Sequence, residues 1–289
     1  MTLTMRRLSA SRFSDRLAMA LFLGCVAWLA RPILGWWLWE WQRPDSPSAY
    51  APVVPILTGL LFFQRRTALA ALPARPTPAA LGLLALGLTL LVIAARRELL
   101  ALGSLALGLT ALATLLFFWG PKKLRAAFVP LLLLASMVPL PGPLLSDLTL
   151  GAQRLSATLA TQLFALMGLQ PIQSGTTIQL GRYALEVEAP CAGFKLLLTL
   201  LVLGSAFTGL TDLPRGKKWA LLAALPPLAL LVNALRIALV GLVGEATGFS
   251  AAQRFHDTSG YLSLGLCLTV LFSLAKGLGC KTLCNRPLF

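Results

Sequence analysis

Residues 219–244 read WALLAALPPLALLVNALRIALVGLVG, an apolar run interrupted only by Asn233 and Arg236. A helix of that length rises roughly 39 Å, more than the ~30 Å of a bilayer's hydrocarbon core. Seven further runs share this character, at 17–38, 50–64, 79–95, 99–119, 126–140, 192–210 and 258–276. Those at 50–64 and 126–140 are short and carry proline. The fold class that follows is an all-α polytopic membrane protein of about eight transmembrane helices, with residues 1–289 as a single membrane domain.

Composition points the same way. Hydrophobic residues make up 57% of the chain and charged residues only 12%, against about 25% charged in an average soluble domain. A net charge of +15 in a soluble protein would point to nucleic acid. Here the lysines and arginines cluster at the ends of apolar runs, where they set orientation against membrane lipids, and no nucleic-acid partner is implied. With the N-terminus in the cytoplasm, Arg65, Arg66 and Arg75, then Lys122, Lys123 and Arg125, then Arg215, Lys217 and Lys218, and finally Lys276, Lys281 and Arg286 all fall inside. The exception is Arg96-Arg97, which is left outside beside Glu98. The first run follows Arg6, Arg7, Arg12 and Arg16 and ends in Trp36, Trp37, Trp39 and Trp41, an interfacial belt in place of a signal-peptide cleavage site, so it is expected to stay attached.

This topology puts residues 141–191 on the extracytoplasmic side. Leu145, Leu148, Ala152, Leu155, Leu159, Leu163 and Leu166 recur at three- and four-residue spacing, the pattern of an amphipathic helix that lies on the membrane or over the mouth of the bundle. TTIQLGRYALEVE, residues 176–188, alternates in Tyr183, Leu185 and Val187 against Glu186 and Glu188. Gly181-Arg182 fits the two-residue turn of a small β-hairpin, with glycine first as in type II′.

The hairpin runs into EAPCAGFK, residues 188–195. Pro190 suits a helix start, so the next apolar helix is expected to begin at or beside Cys191. A thiol there is favoured as thiolate by the helix dipole and by Lys195 one turn on, with Glu188 behind it. The competing reading is an inert apolar filler. Arg236, about 12 Å below Gly244 along a helix, is either a functional intramembrane cation or a snorkelling one, and Asn233 shares its face. His256, the single histidine, falls in AAQRFHDTSGY, read as the outer loop before the last run. Alone it reads equally as a solvated surface residue. One histidine without a cysteine or carboxylate cluster at ligand spacing argues against zinc, and Cys280 and Cys284 lack further ligands and give metal binding only weak support, so neither metal nor cofactor is expected.

Cys191, Arg236 and His256 come from distant segments, yet the charge-derived topology places all three near the outer face. A thiol, an imidazole and a guanidinium together supply what acyl transfer requires: a nucleophile, a proton carrier and an oxyanion partner.

APCAGFK around Cys191, NALRI around Arg236, and His256 ahead of the final run, in that order within a multi-span chain, resemble the exosortase and archaeosortase proteins, polytopic membrane cysteine transpeptidases of prokaryotes. The resemblance covers roughly residues 140–275, which would be the catalytic half. It implies Cys191 as nucleophile, His256 as general acid/base and Arg236 as transition-state stabiliser; Asn233, Lys195 and Glu188 are supporting residues read from their positions alone. The implied substrates are secreted proteins with a C-terminal sorting signal, such as Pro-Glu-Pro followed by a helix and a basic cluster. They would be cut at the periplasmic face of the inner membrane and passed to an amine or lipid acceptor. Many members carry serine after the cysteine, where this chain has Ala192, a departure that bears on the motif read. The alternative from another class is an envelope polysaccharide transporter or assembly factor, with Arg236 lining its path; it predicts broken helices and repeat symmetry, and the sequence shows no such symmetry.

Overall fold

The computed structural model describes residues 2–43, 45–188, 193–283 and 286–287, with side chains described for 17–43, 45–188 and 193–282. Nine α-helices follow in chain order among these residues: α1 (Thr2–Gln42), α2 (Val54–Ala71), α3 (Ala80–Arg97), α4 (Leu100–Ala126), α5 (Phe128–Ala135), α6 (Gly142–Leu166), α7 (Phe194–Leu210), α8 (Arg215–Thr247) and α9 (Phe249–Gly277). Between α6 and α7 lie three short strands, β1 (Ile172–Ser174), β2 (Thr177–Gln179) and β3 (Ala184–Glu186). Every expected apolar run falls on a helix. Those long and apolar enough to cross a membrane are five: Leu17–Gln42 of α1, then α3, α4, α8 and α9. Helix α5, at eight residues, rises only about 12 Å, and α7 is a shorter apolar helix. The fold is all-α and polytopic with this small three-stranded sheet and a two-stranded ladder, Thr282–Leu283 with Arg286–Pro287, after α9.

The chain divides into two units. One comprises the chain up to Trp39 with Ala70–Ala126. In it α3 and α4 form a tight hairpin: Gly87 lies against Thr110, and Gly103 lies so close to Ile33 of α1 that a side chain there would collide. Helix α3 ends at Arg97, and Glu98 turns left-handed (φ 56°) with its N–H on the Ala94 carbonyl. Runs three and four are therefore two helices with a two-residue link. Arg96 and Arg97 occupy the last turn of α3, where exposed carbonyls favour cations, which gives the exceptional pair a local reason. Gly120 (φ 74°, ψ 171°) breaks α4, so its apolar helix stops at Trp119, and a side chain at 120 would strike the Arg75 carbonyl.

The second unit comprises Glu40–Leu69 and everything from Ala127 onward. Helices α7, α8 and α9 share a core of Leu200, Phe207, Leu221, Leu225, Cys267 and Leu271. Helices α2 and α5 cover α7 through Val54, Leu61, Leu133, Val202 and Ala206. At one end, Lys217 of α8 donates to the Leu278 carbonyl just past α9 (2.6 Å), which gathers Arg215, Lys217, Lys218 and Lys276 together.

Helix α6 forms where the heptad-like leucines predicted it, but it presents a different face to the protein. Ser156, Ala157, Ala160 and Phe164 are buried, while Leu148 and Leu155 stay exposed and Leu166 is 83% exposed. Small residues let α6 approach α8 closely, with the Phe164 ring over Gly241. Leu148, Leu155 and Leu166 are left for an apolar surrounding, as in a helix lying on a membrane, while Leu163 packs on the core.

The hairpin is present in the expected register, Ile178 opposite Leu185 and Gln179 opposite Ala184, around Gly181-Arg182. Its turn is not type II′, because Gly181 lacks the positive φ that type requires. The reason is Glu245 at the end of α8. Its carboxylate accepts the N–H of Arg182 (3.1 and 3.0 Å) and of Tyr183 (2.9 Å), and the Tyr183 ring lies against Gly244, where no side chain would fit. The II′-like glycine belongs to an additional hairpin upstream, β1 with β2, where Gly175 (φ 63°) opens the turn between Ser174 and Thr177. Charge-assisted bonds of this kind contribute about 1.5–3 kcal/mol each. Glu245→Ala is expected to raise the rate of tryptic cleavage at the exposed Arg182 on the order of tenfold, with Glu245→Gln intermediate; unchanged cleavage would show that the clamp does not hold the turn.

Candidate active site

One face of α8 organises the site. Asn233, Arg236, Val240 and Gly244 follow at three- and four-residue spacing, the separation that aligns side chains on a helix. Arg236 donates from Nε to Ser259 Oγ (3.0 Å) and from Nη2 to the His256 carbonyl (3.0 Å). The Ser259 hydroxyl donates to that same carbonyl (3.0 Å), so the guanidinium, the hydroxyl and the carbonyl form a closed circuit. It ties α8 to the turn of α9 that bears His256.

His256 is therefore not in a loop. Helix α9 begins at Phe249, after Gly248 (φ 89°) separates it from α8, and the polar stretch before the apolar run is its first two turns. The His256 side chain is 22% exposed, and its Nδ1 lies 3.4 Å from Asp257 Oδ1, which also accepts from Gln253 (3.2 Å).

Helix α7 begins at Phe194 with Gly193 as a left-handed N-cap (φ 72°), later than the start beside the cysteine expected from Pro190. Cys191 lies outside the described residues. Gly193, two positions on, is packed so tightly on Asn233 that a side chain there would come within 2.8 Å of its Cγ. Asn233 is buried at 1% exposure and donates to Ser156 Oγ of α6 (3.2 Å). The amide thus ties α6, α8 and the segment that carries the cysteine.

These groups line a cleft of about 320 Å³, at the small end of the roughly 300–1,000 Å³ of ligand sites. Its wall includes Gly193, Lys195, Asn233, Arg236, His256 and Asp257. Of the residues expected from sequence, Arg236, His256, Asn233 and Lys195 come together; Glu188 is exposed and is not among the lining residues. The sequence reading missed Asp45, Ser259, Gly260 and Ser263. The last three follow His256 at helical spacing as small or polar residues ahead of an apolar stretch, a legible signal once the helix is extended back to Phe249. Asp45 carried none.

A cleft with an arginine held on a histidine-bearing turn, beside the backbone of the cysteine segment, accords with comparison to known families: the model of the transmembrane exosortase family matches residues 36–273. The chain belongs to that family. Comparisons with curated proteins and with solved structures gave no match. The exosortase match takes in α2 to α5 and most of α9, so the kinship reaches well beyond the C-terminal half on which the motifs lie.

Arg236→Lys keeps the charge but loses the planar fork that reaches two acceptors at once. Amide hydrogen exchange around His256 to Gly260 should then quicken on the order of tenfold or more, as read by mass spectrometry in detergent. Exchange equal to the parent protein would contradict the tether.

Proposed function

We propose that this exosortase is a membrane cysteine protease/transpeptidase that cuts the C-terminal sorting tails of secreted proteins, Pro-Glu-Pro type or related, and transfers them to a surface acceptor. The observation that carries the reading is the Arg236 circuit. It sets a guanidinium and the His256 turn around one cleft with Gly193, two residues beyond the only cysteine next to that cleft in sequence. The basic ends of α8 and α9 lie at the opposite end of the same helix pair, which supports an extracytoplasmic site by the positive-inside rule.

In this reading the Cys191 thiolate attacks the scissile carbonyl, and Arg236 stabilises the oxyanion that forms. As the carbon–nitrogen bond breaks, His256 gives its proton to the departing amine of the tail, leaving a thioester on Cys191. The acceptor's nucleophile, an amine or a lipid-borne group, loses its proton to His256, attacks the thioester and releases the thiolate. Asp257 sits where it would hold the imidazole with Nδ1 protonated, directing Nε2 to the reacting atoms. Lys195 and Asn233 serve to position the cysteine segment, and partial exclusion of water at the membrane boundary favours transfer over hydrolysis.

Cys191→Ala is expected to leave protein level and membrane insertion intact while tail processing of a co-expressed secreted reporter stops. Arg236→Ala and His256→Ala should each reduce processing by about 10²-fold or more, and Lys122→Ala should not. Normal processing by Cys191→Ala would overturn the nucleophile assignment.

A further inference from the structure

The sheet order β1-β2-β3 leaves β3 at an edge. Its backbone direction is set by the bonds that flank it: the Leu180 N–H donates to the Tyr183 carbonyl (2.8 Å) and the Val187 N–H to the Thr176 carbonyl (2.9 Å). Antiparallel strands alternate in this respect, so residues 183, 185 and 187 face β2, while Ala184 and Glu186 turn their backbone groups outward. The Glu186 carbonyl accepts from the Glu188 N–H (3.1 Å). Among the described residues, nothing bonds the outward N–H and carbonyl of Ala184 or the N–H of Glu186. Both residues are exposed.

An open edge is ordinarily blunted by shortness, charge, proline or a covering element; β3 is short and carries the Glu186 carboxylate, but no proline or lysine occupies Ala184–Glu186. It is instead held rigid at both ends. Glu245 clamps Arg182 and Tyr183, and Gln153 of α6 donates to the Val187 carbonyl (2.9 Å). The strand also lies beside the candidate catalytic groups, because Glu186 and Val187 share a small void of about 10 Å³ with Arg236 and His256. In the chain, Glu186 is five residues before Cys191.

We propose that the edge of β3 is a docking strand, to which an extended stretch of the substrate polypeptide adds as a fourth strand beside the cleft. The inference rests on the transpeptidase reading above. Ala184 exchanges two main-chain bonds with one substrate residue, and Glu186 donates one to the residue two positions away. Main-chain pairing gives affinity with little demand on side chains, and the rigid edge lowers the ordering cost. The substrate committed to is the segment between the secreted domain and its anchor, which must be extended for its carbonyl to be reached.

The test uses the full-length chain in membranes with a secreted reporter ending in Pro-Glu-Pro, an apolar helix and a basic cluster. Ala184→Pro and Glu186→Pro each delete an outward N–H and leave the bonds toward β2 in place, as proline permits at an edge. Processing should fall at least tenfold with protein level unchanged. Equal processing would overturn the docking strand while leaving the transpeptidase reading intact; a reporter left uncut by the parent chain overturns both. Should a proline variant fail to accumulate, disulfide trapping decides: Glu186→Cys in a Cys191→Ala background is oxidised with reporters bearing one cysteine at successive positions. Trapping at every second position supports the added strand, and uniform or absent trapping refutes it.

Discussion

An arginine within a membrane-spanning helix must be matched by partners, and the half-buried Arg236 is matched by α9. Placing it near the middle of a spanning helix costs about 2.5–3.5 kcal/mol on insertion scales. Its bonds to Ser259 and to the His256 carbonyl offset that cost only when α8 and α9 are side by side. The same contact that makes the cation tolerable therefore fixes where the histidine sits. Fold and site are coupled through one guanidinium, and a lysine, with its single ammonium and no fork, cannot reproduce the geometry.

The rest of the second unit is built outward from the same helix. From Asn233 to Glu245, α8 makes its closest approaches through small or polar groups: Asn233 to Gly193 and Ser156, Gly241 to Phe164, Gly244 to the Tyr183 ring, and Glu245 to the hairpin turn. Side chains longer than these would push α6 and the sheet away from the cleft. The sheet has only nine strand residues, too few to stand alone in water; Ile178, Leu180 and Val187 bury it against Phe164 and Ile237, and Glu245 and Gln153 pin it to the helices.

Much of this was legible in the sequence, and the failures have common causes. Apolar run length located every helix but α6, since the requirement to bury backbone polarity in lipid leaves little choice. The approach of Arg236 and His256 followed from charge sidedness. Periodicity found α6 and left two places for its leucines, on the membrane or over the bundle; Leu148, Leu155 and Leu166 stay exposed while the small residues Ser156, Ala157 and Ala160 make the protein contact, the reverse of a soluble helix. His256 was read as loop because its flanking residues are polar, yet a helix continues past the bilayer wherever propensity allows. A first-turn glycine of positive φ was expected at Gly181 and occurs instead at Gly175, while the carboxylate of Glu245, sixty-odd residues away, holds the Gly181-Arg182 turn. No local signal could have placed Asp45 in the cleft wall. The start of α7 at Phe194 was missed because proline marks a favourable first turn and not an obligatory one, and Gly193 could serve as the left-handed cap.

The central claim is that Cys191 carries the substrate's acyl group during transfer. Its most direct test is acid quenching of membranes that contain the chain and the tailed reporter, followed by mass spectrometry of the peptide holding Cys191. The account predicts a hydroxylamine-labile thioester joining Cys191 to the new C-terminus of the reporter, absent from His256→Ala membranes. Continued processing with no adduct on Cys191, or with the adduct on Cys25, Cys267, Cys280 or Cys284, would contradict it.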